Sequence, residues 1–399
     1  MIPRPVLKSL IDTYQKDLNQ LDSIPRSLSP KLQKNFATVI SGIRRCGKST
    51  LAKQLVKGKK VYYFHFENVQ LADFEQKDFA KLDDIFKEQI GKGGIYLLDE
   101  VQNIEGWEIY VRQLVDQGEV VIVTGSNATM LSKELGTRLT GRNLRYELYP
   151  FSFKEFLDLK KSKSSLKLFE DYFVQGGFPE FLKTKNRDIL RNLFQDIFYR
   201  DILVKNDFRS ESQLKQFVAY VSSNIGSEVS YNKLKTLLGL GSVNTVTQFV
   251  LGCESAYLFF PINKFDFSLK KQQINPKKIY CVDNGLLKLN SFSFSENKGR
   301  YLENLVFMHL KRIGKEIYYH KSKSECDFVL KEGMNIVEAI QVCWGLTDEN
   351  QKREFSGLID ACKSYKLKKG LILTYDQEDS FVQDGIKIVV KPVWKWLLE

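Results

Sequence analysis

Short apolar runs alternate with amphipathic stretches over residues 1–150. The apolar positions of residues 5–22 recur at helical spacing and predict a first helix. Five apolar runs then predict strands, at residues 36–41, 61–66, 95–99, 120–126 and 144–148. Helical patterns separate most of these strands, and such alternation is typical of a parallel sheet with helices on both faces. The predicted fold class of this part is therefore α/β.

The pattern changes at YPFSFKEF, residues 149–156, after which the chain reads as largely helical. Strand-like runs return near the C-terminus, at residues 278–283, 316–320, 327–330, 335–344, 370–375 and 385–390. A chain of 399 residues is long for a single hydrophobic core. We predict three domains, at residues 1–150, 151–265 and 266–399.

Composition and charge narrow the class of protein. Six cysteines form no Cys-x-x-Cys pair and three histidines do not cluster, which argues against zinc and for a reduced, cytoplasmic compartment. No run approaches the ~18 apolar residues of a membrane span, and the first residues do not read as a signal peptide. The net charge of +12 is spread along the chain, so it is compatible both with weak nucleic-acid binding and with an inert basic surface.

The loop GIRRCGKST fits the pattern G-x-x-x-x-G-K-[ST] with an apolar strand before it and a helical pattern after it. The glycines let backbone N–H groups point at phosphates, and the helix N-terminus adds partial positive charge. Lys48 would neutralise phosphate oxygens and Ser49 would hold Mg²⁺. We predict ATP and Mg²⁺ as cofactors, with a nucleotide-binding set of Gly42, Ile43, Arg44, Arg45, Cys46, Gly47, Lys48, Ser49 and Thr50.

Three of these loop residues occupy variable positions of the pattern. Arg44 or Arg45 could reach a phosphate or a neighbouring subunit, whereas Cys46 is expected only to pack.

The run GGIYLLDE, residues 93–100, is an apolar strand that ends in two acids. Asp99 can hold Mg²⁺ through water, and Glu100 can act as general base toward the attacking water. Both residues are therefore candidate site residues, Asp99 for metal binding and Glu100 for catalysis.

Two further candidates follow the fourth strand. Ser126 or Asn127 could contact the γ-phosphate or the attacking water, the alternative being an ordinary Gly-Ser turn. Arg142 could stabilise charge on the transferring phosphoryl group, in cis or from a neighbouring subunit. A surface arginine paired with an acid is the competing interpretation for Arg142.

The ordered motifs GIRRCGKSTLAKQL, IYLLDEVQN, VIVTGSN, LTGR and YELYPFSFKEF resemble those of a bacterial and archaeal family of AAA-type P-loop ATPases. Members pair the ATPase with a winged-helix segment and a C-terminal domain similar to restriction endonucleases. The resemblance implies a sheet with an extra strand between the two Walker strands. It also implies that Glu100 is the catalytic glutamate, that the Ser126 region is a sensor and that Arg142 is a finger or sensor arginine.

The middle segment, residues 228–260, resembles the winged helix of that family, with two short helices separated by GLGS. Its second helix would begin near Ser242 and carry Asn244, Thr245, Thr247 and Gln248. A helix that reads DNA usually offers arginine or lysine. Since this helix has neither, a packing module is favoured over a DNA reader.

The tail departs from the nuclease pattern that the resemblance implies. Asp327 stands at its place, but Gln341 replaces the glutamate and Cys343 replaces the lysine. Glu338 points to the opposite face of its strand from Gln341 and is a poor substitute. Glu303 could face the site, and Lys321 or Lys323 could supply a displaced ammonium. We therefore expect an endonuclease-like domain that binds or senses without cutting.

The predicted function is Mg²⁺-dependent ATP binding and hydrolysis that drives a conformational switch, with ATP or ADP bound and a protein partner regulated. The alternative is a nucleic-acid-associated motor or processing ATPase, with or without nuclease activity. A homo-oligomer is compatible with both functions, and no membrane partner is expected.

Overall fold

The computed structural model describes residues 1–19, 23–126, 141–208, 210–290 and 297–399. The predicted helix end at 20–22, Asn127 and the first two residues of LTGR lie outside these ranges. The chain forms two compact units, Met1–Tyr149 with Ser255–Tyr257, and Pro150–Glu254 with Leu258–Glu399. None of the helices in the described ranges has the length and apolar character needed to cross a membrane.

The first unit is built on five parallel strands, β1 Ala37–Ser41, β2 Val61–His65, β3 Ile95–Asp99, β4 Val121–Gly125 and β5 Asn143–Glu147. Their order in the sheet is β2-β3-β4-β1-β5. The strand β4 thus lies between β1, which leads into the loop GIRRCGKST, and β3, which ends in Asp99. The strand inserted at this place agrees with the expectation from the family resemblance.

Four α-helices connect or flank these strands, α1 Arg4–Asn19, α2 Lys48–Leu55, α3 Asp78–Gln89 and α4 Trp107–Asp116. The connection from β1 to β2 runs one way along the sheet, and those from β2 to β3 and β4 run the other way. Because βαβ crossovers are right-handed, α2 covers one face and α3 and α4 cover the other. The predicted α/β P-loop NTPase fold, with helices on both faces, is confirmed.

The second unit starts with helices that bury aromatic side chains, and its first helices are α5 Phe153–Lys160, α6 Leu166–Gln175, α7 Pro179–Thr184 and α8 Arg187–Asp196. A π-helical turn, Ile197–Val204, follows α8. A capping box opens α5, because Ser152 accepts from the Glu155 backbone and Glu155 accepts from that of Ser152. The change of pattern that the sequence shows at residues 149–156 therefore corresponds to the capped N-terminus of α5.

The middle of the second unit contains three helices and a small antiparallel sheet. The helices are α9 Glu211–Ser223, α10 Tyr231–Leu237 and α11 Val243–Ser255, and the strands are β6 Glu228–Val229, β7 Phe259–Asn263 and β8 Lys277–Cys281. The strand order is β6-β8-β7. The paired strands β7 and β8 lie on either side of residue 265 in the sequence, the predicted boundary between the second and third domains.

A six-stranded mixed sheet forms the C-terminal part, with strands β9 Glu316–Lys321, β10 Glu325–Glu332, β11 Asn335–Val342, β12 Lys369–Thr374, β13 Asp379–Gln383 and β14 Ile386–Pro392 in the order β13-β14-β12-β11-β10-β9. The accompanying helices are α12 Leu269–Ile274, α13 Asn284–Asn290, α14 Lys298–Arg312, α15 Gln351–Ser364 and α16 Val393–Trp396. The helix α15 packs its apolar face, including Leu358 and Cys362, on a core with Val329 and Ile372.

Candidate active site

The predicted nucleotide residues meet at one edge of the parallel sheet. The loop follows the carboxyl end of β1, Asp99 and Glu100 end β3, and Ser126 follows β4. Carboxyl ends of parallel strands share an edge of the sheet, which is the usual place for ligand binding in such folds. Topology thus brings together Lys48, Ser49, Asp99, Glu100 and Ser126.

The loop needs glycine at both ends. Gly42 has φ +153°, and a Cβ built on it would lie 2.0 Å from the Leu148 carbonyl oxygen. Gly47 is the residue before α2 and has φ +104°. The helix begins at Lys48, where Leu51 N donates to Gly47 O at 2.9 Å. The first N–H groups of α2 therefore face the space that the loop encloses, as a phosphate site requires.

A Gly42→Ala substitution should lower the free energy of unfolding by about 3 kcal/mol, because the methyl group would overlap a backbone carbonyl that cannot rotate away. Gly58 is a matched control, since it also has positive φ but has open space around its Cβ position. Gly58→Ala should cost only about 1 kcal/mol. Urea unfolding of both variants measures the difference, and equal costs would contradict the close approach at Gly42.

An arginine outside the motif, Arg26, holds the loop through hydrogen bonds to backbone carbonyl groups. The Arg26 guanidinium donates to the carbonyl oxygens of Cys46 at 2.8 Å and Tyr149 at 2.7 Å. The Cys46 thiol is buried and donates to Leu148 O at 3.3 Å, so Cys46 packs as its position suggested. Sequence reasoning missed Arg26, because it lies in a connector with no periodic pattern.

Lys48 is buried, and its ammonium lies 3.4 Å from Glu100 Oε1 and 3.3 Å from Ile43 O. Burial alone would lower the pKa of Lys48, but the neighbouring Glu100 carboxylate outweighs this and raises it. The lysine therefore stays charged.

Asp99 is surrounded by polar side chains from three elements, α2, β2 and β4. Ser49 Oγ donates to its Oδ1 at 2.9 Å, Tyr63 OH donates to Oδ2 at 3.3 Å, and His65 Nδ1 lies 3.2 Å from Oδ2. Thr124 Oγ1 also donates to Oδ1. Burial would raise the pKa of Asp99, but the neighbouring His65 ring and the hydrogen bonds from Thr124 and Ser49 lower it overall. Asp99 is thus held as a carboxylate beside Ser49.

Sequence reasoning missed Thr124 and His65. His65 ends β2 directly beside Asp99, since the register pairs these two residues. Burial would lower the pKa of His65, but the Asp99 carboxylate beside its ring raises it above the ordinary value. The signal that could have found both residues is their place at the carboxyl ends of strands that flank the acid pair.

Glu100 has a left-handed backbone conformation, with φ 54° and ψ 38°, which a non-glycine residue adopts at a cost of about 1 kcal/mol or more. Its N–H donates to Thr124 Oγ1 at 3.0 Å, and Gln102 Nε2 donates to its Oε2 at 2.5 Å. Thr124 therefore orients both acids. The strained backbone turns the Glu100 side chain toward Lys48.

The hydroxyl of Ser126 is buried, the residue being 3% exposed, and it has no hydrogen-bond partner among the residues that the structure describes. A buried hydroxyl without a partner costs free energy, so an orphan of this kind points to a missing ligand. Asn127, its sequence alternative, lies outside the described ranges.

Arg142 lies at the opposite edge of the sheet from this site. Its carbonyl accepts from Ala37 N at the start of β1, and its guanidinium pairs with Asp116 at 2.7 Å. Five strand residues separate it from the loop, about 16 Å at the usual rise. Arg142 therefore cannot contact the nucleotide of its own chain, and its role from a neighbouring subunit stays a prediction.

The two loop arginines differ in their surroundings. The guanidinium of Arg44 lies 3.1 Å from Glu67 Oε1, whereas Arg45 is exposed and has φ 60°. A contact of either arginine with a phosphate stays a prediction.

ATP and Mg²⁺ fit the residues at this edge by their chemistry. Lys48 offers an ammonium, α2 offers unpaired N–H groups, and Ser126 offers an orphaned hydroxyl. Ser49 and Asp99 present hydroxyl and carboxylate oxygens within 2.9 Å of each other, the donor atoms that Mg²⁺ prefers.

The positions expected for a nuclease lie in the second unit. Asp327 on β10 and Gln341 on β11 are neighbours, since Asp327 N donates to Gln341 Oε1 at 3.2 Å. Gln341 Nε2 donates to Glu354 Oε2 at 2.8 Å. Burial raises the pKa of the Cys343 thiol to about 12, so it carries no charge.

Neither proposed replacement for the missing lysine lies against Asp327. Lys321 pairs with Glu228 at 2.5 Å and with Glu325 at 3.5 Å, and Lys323 lies on the exposed turn after β9. The ammonium that contacts Asp327 belongs instead to Lys278, on β8.

Comparison with known families divides the chain into three matched segments. Residues 34–157 match a family described as an AAA domain. Residues 166–294 and 298–396 match two families that are each described as a domain of unknown function, DUF8612 and DUF4143. The AAA match covers the loop, both acids and the whole parallel sheet.

Whole-chain relatives occur in archaea and bacteria. The uncharacterized protein MJ1544 of Methanocaldococcus jannaschii is 33% identical over 94% of this chain and 91% of its own length. An uncharacterized protein of Haemophilus influenzae is 30% identical over 92% of this chain and 95% of its own length.

A solved structure with some similarity is a Signal Transduction ATPase with Numerous Domains (STAND) protein with a tetratricopeptide repeat sensor, PH0952 from Pyrococcus horikoshii. It is 14% identical with a TM-score of 0.26, over 69% of this chain and 43% of that protein. Similarity at this level carries no argument. The sequence relatives show the family: the chain belongs to the family of MJ1544 and its Haemophilus influenzae relative, with an AAA domain of the P-loop NTPase fold.

Proposed function

We propose that this protein is a Mg²⁺-dependent ATPase in which ATP binding and hydrolysis drive a conformational switch. The observation that carries the proposal is the meeting of Lys48, Ser49, Asp99 and Glu100 at one sheet edge. In this proposal the phosphates lie on the N–H groups of the loop and α2, and Lys48 binds the terminal phosphate oxygens.

Ser49 and Asp99 would hold Mg²⁺, which supplies charge neutralisation on the phosphate oxygens when it is bound. Glu100 would take a proton from the attacking water as general base. Ser126 would donate its unpaired hydroxyl to the γ-phosphate or to that water. Thr124 would keep Asp99 and Glu100 in position through its two hydrogen bonds.

Two contacts support a switch. The Lys48–Glu100 pair, at 3.4 Å, occupies the groups that phosphate and water would need, so ATP binding must break it. Ser255–Tyr257 also belongs to the first unit, although the segments on either side of it belong to the second. Tyr257 OH donates to Ser41 Oγ at 2.7 Å, directly before Gly42. A movement of the loop would therefore reach the chain segment between α11 and β7.

The second unit would bind or sense a partner without cutting nucleic acid. The element order α9-β6-α10-α11-β7-β8 supports a winged-helix arrangement. The helix α11 exposes Asn244 and Gln248, and it has no arginine or lysine with which to hold phosphates. A protein partner is therefore favoured over DNA.

Purified protein should hydrolyse ATP with Mg²⁺ and lose this turnover in EDTA. Turnover should change less than twofold when duplex DNA or RNA is added across a salt series, because α11 carries no arginine or lysine to hold phosphates. Stimulation that fades steeply with salt would instead support a nucleic-acid motor. Two results together support the switch: a partner protein is captured only in one nucleotide state, and ATP turnover does not change when DNA is added.

A further inference from the structure

Lys278 is a fully buried cation in the second unit, with a side chain only 1% exposed. Its ammonium lies 2.9 Å from Asp327 Oδ1, 2.9 Å from Glu325 Oε1 and 3.1 Å from Glu303 Oε1. Two of its N–H groups donate to Asp327 and Glu303, and Glu325 is a third ion-pair partner. Three carboxylates of its own chain therefore surround the cation.

The carboxylates around Lys278 are held in place by further bonds. Asp327 Oδ2 accepts from Val342 N at 2.9 Å, and Glu303 Oε1 accepts from Tyr280 OH at 2.6 Å. Burial would lower the pKa of Lys278, but Asp327 and Glu303 raise it well above its ordinary value. The surrounding carboxylates thus favour the charged form of the lysine.

The carboxylates of Glu303, Glu325 and Asp327 line an open cavity of about 620 Å³. Glu303, Asp327, Gln341 and Glu354 face it, together with Arg353 at the mouth, whose side chain is 80% exposed. The predicted endonuclease-like fold would place a divalent cation here, between the carboxylate of Asp327 and the residue at position 341.

The donor set does not fit a divalent cation. A metal ion needs lone pairs on several anionic oxygens, but Lys278 occupies one oxygen of Asp327 and one of Glu303. Gln341 contributes no charge, and its carbonyl oxygen already accepts from Asp327 N. An ion beside these oxygens would also be repelled by the ammonium at close range, with little water to screen it. No three acids, histidines or cysteines of the described residues form a metal-binding group.

We infer that Lys278 is the resident cation of this cavity, taking the position that a divalent metal holds in a cutting enzyme. The wild-type cavity therefore binds no divalent metal and cleaves no phosphodiester bond. Removal of the ammonium would leave the oxygens of Asp327 and Glu303 that it contacts free to hold a divalent metal ion. The inference is independent of ATP hydrolysis, because it concerns residues of the second unit alone.

Titration of the nucleotide-free full-length protein with Mn²⁺, followed by electron paramagnetic resonance, tests this inference. Lys278→Ala should bind one more Mn²⁺ ion than the wild type. Its affinity for Mn²⁺ at this cavity should be at least about tenfold higher than that of the wild type. The additional ion should disappear in Lys278→Ala/Asp327→Asn. Lys321→Ala is a matched control, since it removes a neighbouring lysine that contacts Glu325 but not Asp327. It should bind Mn²⁺ as the wild type does.

Thermal unfolding gives a second readout. Lys278→Ala leaves buried carboxylates unpaired and should melt lower than the wild type, and Mn²⁺ should raise the Tm of the variant more than that of the wild type. If Lys278→Ala does not fold, wild type and Asp327→Asn are compared directly. Equal Mn²⁺ binding by these two supports the inference. Loss of a bound Mn²⁺ ion in Asp327→Asn, or Mn²⁺-dependent DNA cleavage by the wild type, would overturn it.

Discussion

Replacing Lys48 with alanine should weaken ATP binding by about 100-fold or more and reduce ATP turnover to background. The Lys48 ammonium is buried at the N-terminus of α2, where the proposal places the terminal phosphate. A charge-assisted hydrogen bond to phosphate contributes roughly 1.5–3 kcal/mol, and Lys48 would make more than one. Titration with a fluorescent ATP analogue and a phosphate-release assay measure both effects.

Lys53 provides the control for this experiment. It lies on the same helix, one and a half turns further on, and its ammonium lies 4.8 Å above the ring of Tyr63 rather than in the loop. Lys53→Ala should keep ATP binding and turnover within about twofold of the wild type. ATP binding by Lys48→Ala at wild-type strength would refute the assignment of the loop. The stability of Lys48→Ala should be checked, since it leaves Glu100 without its cation.

Much of the first unit can be predicted from sequence because its signals are local. For every predicted strand between residues 36 and 148, both predicted ends lie within one residue of the observed ends. The loop pattern depends on two glycines at fixed spacing, and backbone geometry demands glycine at both. The acid pair is readable because a strand that ends in Asp-Glu places both at the sheet edge.

Strands β7 and β13 were not predicted, and for opposite reasons. Phe259–Asn263 continues the apolar pattern of α11, so periodicity alone does not separate the strand from the helix. Asp379–Gln383 is mostly polar and exposed, because it is the edge strand of its sheet. In both cases tertiary pairing decides the structure.

The contacts that tune the two sites are long-range and have no local signature. Arg26 reaches the loop from a connector, and Thr124 reaches Asp99 from the adjacent strand. Lys278 lies on a strand of the small sheet, whereas Asp327 lies on the large sheet, 49 positions later. The substituted residues Gln341 and Cys343 indicated that the nuclease pattern was lost, but only the structure shows which cation lies against Asp327.

The two buried lysines, Lys278 and Lys48, differ in whether a ligand can compete for their ammonium groups. Lys278 contacts three carboxylates, whereas Lys48 contacts one carboxylate, Glu100, and a backbone carbonyl. A ligand phosphate can compete with the single carboxylate for Lys48, because breaking one pair is compensated by new charged contacts. Lys278 therefore excludes a metal ion from its cavity, whereas Lys48 is available to a nucleotide.

Glu100→Gln should bind ATP at least as tightly as the wild type and hydrolyse it about 10²–10⁴-fold more slowly. The amide cannot take a proton from water, so the general base is lost. It also removes the anion that holds Lys48 in the nucleotide-free state, which frees the ammonium for phosphate. Glutamine has nearly the same shape and can still accept from Gln102, so the fold should be kept.

Binding and turnover must be measured on the same Glu100→Gln preparation, because their opposite responses distinguish lost catalysis from lost structure. Glu105→Gln is the matched control, since Glu105 is exposed and lies five residues after Glu100. It should change neither quantity by more than about twofold. Turnover by Glu100→Gln within threefold of the wild type would remove Glu100 from the role of base. Lost ATP binding would show instead that the Lys48–Glu100 pair organises the loop, and that its rupture is not the step that nucleotide drives.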